Sequence, residues 1–290
     1  MDWVNAVLQG LLLGGQYALL ACGLSLMFGV MRIVNLAHGV LAVAAAYLAY
    51  WLVSHTALPS FATLVIVIPV MAAVGWALQI GLFNRALKQG ELSPLLVSFG
   101  VAVIGANLLQ EGFKADSRSI AIGDLATSSI RLSDDLSIGV FSLITLVVAV
   151  VVIGGLRAFM AYTRVGRGMR ATKDDHEAAT LMGINERTMY ALATAIAIAT
   201  VALAGVFLGM STQFTPTYGD LVLIFAFEAV IIGGLGNLWA TLVGGLVLGV
   251  AQTVGAQIDP AYGVLAGHLV FLAVLLVRPQ GLLVSKAVMA

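Results

Sequence analysis

The sequence predicts an all-α fold, a polytopic bundle of transmembrane helices forming a single domain over residues 1–290. Three observations predict it. Apolar residues make up 61% of the chain, where soluble domains carry about 45–50%. Charged residues make up only 10%, where soluble domains carry about 25%. That leaves too few polar groups to cover a globular surface, so lipid must solvate much of the chain. The apolar residues also fall in runs of roughly 20, the length that crosses a hydrocarbon core as a helix. The formal net charge is zero, so neither a nucleic-acid partner nor a polybasic membrane patch is expected.

In chain order the runs lie near residues 4–30, 34–53, 61–83, 92–110, 138–160, 188–212, 219–236, 238–257 and 262–278. The first follows Met-Asp-Trp, without the basic start of a cleavable signal, and is expected to stay as a membrane helix. The second carries Asn35, His38 and Gly39 near its start, and the seventh ends in Gly233, Gly234 and Gly236. Both are candidates for broken or re-entrant helices, so the expectation is 8–9 membrane segments. Irregular backbone at that depth is tolerated only where protein or a water-filled cavity satisfies it. Trp3, Trp51 and Trp239 fall near span ends, where amphipathic rings suit the headgroup region. Gly10 and Gly14, Gly205 and Gly209, Gly245 and Gly249, and Gly263 and Gly267 are each four residues apart, a spacing that lets helix backbones approach. Cys22 lies inside an apolar run and reads as a small packing residue.

Lys and Arg orient such a bundle. Nine crossings put Arg32, Arg85, Lys88, Arg157, Arg164, Arg167, Arg170, Lys173, Arg187, Arg278 and Lys286 on one side, and Lys114, Arg118 and Arg131 on the other. The richer side is expected to be cytoplasmic, with the N-terminus outside and the C-terminus inside.

Two hydrophilic segments separate the runs: an outer polar loop at about 112–137 and an inner loop at about 162–187. In the inner loop a basic arm is followed by Asp174 and Asp175, either of which can cap a helix N-terminus. A short helix is expected over about His176–Met182, closed by Gly183 in a left-handed C-cap. Ala178, Leu181 and Met182 would form its apolar face. Such a helix either docks a partner or lies on the bilayer surface.

Glu177-Ala178-Ala179, with Gly183 four residues further on, matches the coupling motif of bacterial ATP-binding-cassette importer permeases. Five longer blocks extend the likeness in order: GLLLGGQYALLACGLSLMFGVMRIVNLAHG from Gly10, SPLLVSFGVAVIGANLLQ from Ser93, AATLMGIN from Ala178, VIIGGLGNLWATLVGG from Val230 and RPQGL from Arg278. Over nearly its whole length the chain resembles the LivH-type permeases of branched-chain amino acid importers. The Pro-containing tail of the general motif is absent after Gly183, as is usual in that branch.

The resemblance implies a bacterial inner-membrane location and four kinds of neighbour: the lipid bilayer, two cytoplasmic ATP-binding subunits, a second homologous permease of LivM type, and a periplasmic substrate-binding protein. It also implies that Asp174, Asp175, Glu177, Ala178, Ala179, Leu181, Met182 and Gly183 couple the chain to its ATPases. The chain has no Gly-x4-Gly-Lys-Ser/Thr loop, so ATP is expected to act on the partner subunits, with no cofactor in this chain. Branched-chain amino acids are the implied cargo, with urea or short amides, or aromatic acids, as alternatives.

Candidate pathway residues are few. Glu228 sits in an apolar run, where a carboxylate must face protein or water. It either contacts a substrate ammonium or makes a structural hydrogen bond to another helix, the second being favoured. Asn35 and His38 either start an interfacial helix or form a gate, and Gly233 and Gly234 either turn the chain or admit a close crossing. His268 reads as a lone satisfied histidine on an apolar helix. An ion-coupled secondary transporter is the competing class. It needs embedded ionisable sites, and Glu228 is the only acid well inside a run, with no basic partner evident. No nucleophile–base pair or metal set stands out, which argues against an enzyme.

Overall fold

The structure is a computed structural model, and it describes residues 2–56, 58–90, 92–133 and 136–283. Lys286, counted above among the basic residues, lies outside them. Eight of the helices among the described residues are long and apolar enough to cross a membrane. They begin with α1 (Asp2–Met31) and α2 (His38–His55). Next comes a long segment from Ser60 to Gln89, in which α3 (Leu64–Leu78) passes through a π-turn at Gln79–Phe83 into the short α4 (Asn84–Ala86). Gln79, at the start of the π-turn, is buried, and its Oε1 accepts from the Thr194 hydroxyl at 2.6 Å. Then follow α5 (Ser93–Phe113), a small antiparallel hairpin of β1 (Ser129–Ser133) and β2 (Leu136–Gly139), and α6 (Val140–Tyr162). The hairpin occupies the end of the polar loop expected at 112–137 and runs two residues beyond it.

The inner loop contains two helices, α7 (Arg164–Asp174) and α8 (His176–Leu181). The expected basic arm is thus a helix of its own, capped by the Thr163 hydroxyl accepting from the Gly166 N–H at 2.9 Å. The chain continues through α9 (Glu186–Ser211), α10 (Gly219–Gly233), α11 (Leu238–Ile258) and α12 (Tyr262–Val277).

Neither weak run is interrupted within its length. The second segment begins at His38, not at 34, and Asn35 lies in the turn before it. The seventh is an 18-residue stretch, Pro216–Gly233, and its glycines lie at its end. At 16 residues α12 is the short one. Yet it starts where α11 ends, and its C-terminal extension returns to α10: the Leu282 and Leu283 N–H groups donate to the Ile232 and Gly233 carbonyls at 2.8 and 3.0 Å. It therefore runs the depth of the bundle beside α11, as a ninth segment.

The core is built on α1 and α9, most of whose length is buried, while few residues of α5 and α6 are. The glycine pairs explain the closeness of the central crossing. A Cβ on Gly14 would stand 2.5 Å from Leu246 Cα, and one on Gly245 would stand 2.7 Å from Ala18 N. The pairs Gly10/Gly14 and Gly245/Gly249 are thus two halves of one contact, between α1 and α11. On α12, Gly267 makes room for the Gln252 side chain of α11.

Between α10 and α11, Gly234 has φ of 128° and Gly236 φ of 76°, conformations that L side chains rarely adopt. The backbones of Gln280 and Leu283 pack on Gly234. The Val230 and Arg278 blocks, far apart in sequence, thus form one knot. Gly234→Val is expected to lower the thermal unfolding midpoint in detergent, by a strain of about 1–3 kcal/mol. An unchanged midpoint would mean that the turn does not hold this shape.

Candidate functional site

At the hairpin end of the bundle, α1, α6, α9, α10 and α11 enclose a cavity of about 360 Å³. Its apolar wall includes Leu12, Phe141, Val222 and Phe225. Its polar groups are largely committed to the protein. Gln9 Nε2 donates to the Ser137 carbonyl at 2.7 Å, Gln16 Nε2 to the Ala204 carbonyl at 3.1 Å, and the Thr145 hydroxyl to the Phe141 carbonyl at 2.9 Å. No charged side chain lines it. Such a chamber suits a solute with an apolar side chain and offers no counter-charge to hold a zwitterion tightly.

Glu228 does not line this cavity. It is buried on α10 and faces α12, where Oε1 bonds His268 Nδ1. The expectation that Glu228 has no basic partner is therefore overturned, and His268 is not a lone histidine. The two lie 40 residues apart, with a whole helix between them, so no local spacing signalled the pair. Phe225, one turn before Glu228, stacks on the His268 ring at 6.3 Å between centroids and tilts against Tyr17 at 5.1 Å. Tyr17 in turn donates its hydroxyl to Gln252 Oε1 at 2.6 Å. Glu228 Oε2 and Gln252 Nε2 have no partner. Glu228 and His268 are thus linked to the chamber through the side chains of Phe225 and Tyr17, both of which line it.

Asn35 and His38 are fully buried and also lie off the cavity. Asn35 Oδ1 accepts from the Ala37 N–H at 3.0 Å and so shapes the turn into α2. His38 Nε2 lies 2.8 Å from the Leu20 carbonyl, locking α2 to α1. Gly233 ends α10 and Gly234 opens the turn to α11, at the opposite end of the bundle from the cavity.

At that opposite end stands α8. Of the two candidate caps, Asp175 is the one used: its Oδ1 accepts from the Ala178 N–H at 2.9 Å, while Asp174 closes α7. Gly183, with φ of 82°, ends the helix as its sequence implies. Ala179 is buried, whereas Leu181 and Met182 are 88% and 83% exposed. These two large apolar side chains, on a short capped helix, have no partner among the described residues.

Among the described residues, eight spanning helices and the shorter α12, with an apolar chamber at one end and an exposed apolar helix at the other, fit the class of membrane transport permeases. The comparisons with known proteins are more specific. Residues 6–277 match the family described as the branched-chain amino acid transport system permease component, and the chain belongs to that family. It is 31% identical to the high-affinity branched-chain amino acid transport system permease protein BraD of Pseudomonas aeruginosa, over 97% of this chain and 95% of the relative. It is 28% identical to the Escherichia coli permease LivH over the same shares, and 25% identical to a probable LivH of Methanocaldococcus jannaschii, over 95% of this chain and 91% of the relative. These relatives are transport permeases, not enzymes.

Proposed function

We propose that the chain is the transmembrane permease subunit of an ATP-binding-cassette importer that moves branched-chain, hydrophobic amino acids. The observation that carries the proposal is the capped α8 with Leu181 and Met182 exposed, on the segment bearing the Glu177–Gly183 coupling motif. Two ATP-binding subunits would dock there, and their closure would push α8 and reorient the bundle in alternating access. ATP would be bound by those subunits alone. A second homologous permease, of LivM type, would complete the transmembrane unit, and a periplasmic binding protein would deliver substrate at the hairpin end. The uncharged chamber fits this division of labour, because affinity would reside in the binding protein. The names of the relatives support the cargo. Urea, short amides and aromatic acids are the alternatives within the same machine.

The location we propose is the bacterial inner membrane, with the N-terminus outside and the C-terminus cytoplasmic. The basic residues support this orientation. By chain connectivity Arg157, Arg164, Arg167, Arg170, Lys173, Arg187 and Arg278 gather at the α8 end, and Lys114, Arg118 and Arg131 at the hairpin end.

Reconstitution with the proteins encoded beside it tests the proposal. Leucine uptake is expected to need both ATP and the binding protein. Uptake of a different solute under those same requirements would correct the cargo alone. Uptake that needs no ATP and follows a proton or sodium gradient would instead favour a secondary transporter, a reading to which the embedded Glu228–His268 pair gives some purchase.

We assign Glu228 to fastening α10 to α12. Glu228→Gln, which can still hydrogen-bond His268, is expected to keep most of the uptake. Glu228→Ala leaves His268 unpaired and is expected to lose about 1–3 kcal/mol of stability. A Gln variant that is folded but inactive would place the carboxylate on the pathway instead.

A further inference from the structure

At the α8 end a second cavity, of about 290 Å³, opens between α1, α6, α7 and the start of α11. Three of its lining residues are cations, Arg157 of α6 and Arg170 and Lys173 of α7, and none is acidic. None of the three forms an ion pair with a described residue. Arg170 is held in place by donating Nη2 to the Ala161 carbonyl at 3.2 Å. Asn237 and Leu238 bring in the N-terminus of α11, a 21-residue helix whose dipole adds positive potential. Such a concentration of one sign of charge, uncompensated, calls for an anion.

Ser25 of α1 supplies the independent observation. It lines the same cavity and is 1% exposed, yet its hydroxyl has no hydrogen-bond partner, not even on its own helix. Buried hydroxyls are seldom left unpaired, and this one lies in the wall of a cationic cavity, where a small rotation would let it donate to an oxyanion. The rest of the wall is apolar, formed by Leu26, Val30, Met160 and Leu238. Beside it runs α6, few of whose residues are fully buried and whose Val147, Val150 and Val151 are exposed. Arginines and a lysine for a phosphate, next to an apolar wall and a lipid-facing helix, match the two halves of a phospholipid at the headgroup level.

We propose that this cavity binds the phosphate of an anionic phospholipid headgroup. The bound lipid joins α6, α7 and α11 at one point. Because α7 leads into α8 through Asp175 alone, occupancy braces the base of the exposed helix. The site stands on its own residues and does not depend on the cargo or on the ATPases.

Native mass spectrometry of the full-length chain in mild detergent tests the proposal. The probes are phosphatidylglycerol, phosphatidylcholine with the same acyl chains, and inorganic phosphate. One phosphatidylglycerol is expected to be retained in preference to phosphatidylcholine. Its affinity should fall about fivefold in Lys173→Gln, and on the order of a hundredfold when Arg157, Arg170 and Lys173 are all changed to Gln. Arg157, Arg170 and Lys173 are all exposed, so the single and triple variants are both expected to fold, which the unfolding midpoint checks. Ser25→Ala is expected to weaken retention without altering the unfolding midpoint of the lipid-free chain. Equal retention of the two lipids, or no loss in the folded variants, overturns the proposal. So does binding of inorganic phosphate without phosphatidylglycerol, which would mark a site for a free anion.

Discussion

Gly14→Leu is expected to abolish recovery of folded protein from the membrane, whereas Gly155→Leu is expected to leave it unchanged. Both replace a glycine in a membrane helix by the same side chain, so hydrophobicity and helix propensity change alike. The surroundings differ. A Cβ at Gly14 meets backbone, with Leu246 Cα at 2.5 Å and the carbonyl oxygen of Gly245 at 2.7 Å, and backbone cannot rotate aside. A Cβ at Gly155 meets nothing within 4 Å. The only relief at Gly14 is for α1 and α11 to part, and α1 is the most buried helix of the bundle. Overpacking typically costs about 1–3 kcal/mol where side chains can yield, and here they cannot. Within a membrane little hydrophobic drive remains to hold helices together once close packing is lost. Fluorescence-detected size-exclusion chromatography of the two variants decides the matter. A monodisperse Gly14→Leu peak of wild-type height would show that the crossing is looser than described.

The second large effect is expected at α8. In the double variant Leu181→Asp with Met182→Asp, the permease should fold normally but fail to retain its ATP-binding subunits. Both side chains point away from the rest of the chain, and surface changes of that kind shift stability by only about 0.5 kcal/mol. Full burial of each against a docked partner would contribute about 1.5–3 kcal/mol. Losing both weakens association on the order of a hundredfold to ten-thousandfold. Co-purification of the ATPases with tagged permease, followed by their stimulated ATP hydrolysis, measures this. If the ATPases co-purify in wild-type amounts, α8 is not the docking element, and a helix resting on the bilayer surface becomes the better account of its apolar face.

Much of the architecture was legible because its causes are local. A run of apolar residues long enough to cross lipid must form a helix, since no water is present to satisfy the backbone. Eight of the nine runs read from the sequence coincide with helices of spanning length, and the ninth with α12. The α8 helix was legible for the same kind of reason, because an Asp at its start and a glycine after its end act on backbone a few residues away. The glycine spacing foretold close packing but not which helices meet, since a four-residue period states a face and names no partner. The Glu228–His268 pair was missed, and so was the cluster of Ser25 with Arg157, Arg170 and Lys173. Their members come from different helices and meet only when the bundle closes.

The sequence by itself thus determined that this chain lives in lipid, where its segments cross, and which short helix stands clear of them. Each follows from composition and from interactions spanning a turn or two. Only the tertiary structure decided that α1 and α11 interlock through their glycines, that the segment after Arg278 packs on the α10–α11 turn, and that Glu228 answers to His268 and not to the chamber. Contacts of this kind depend on the depth and rotation of each helix within the bundle. Those are settled by the packing of all the helices together, which no single segment encodes.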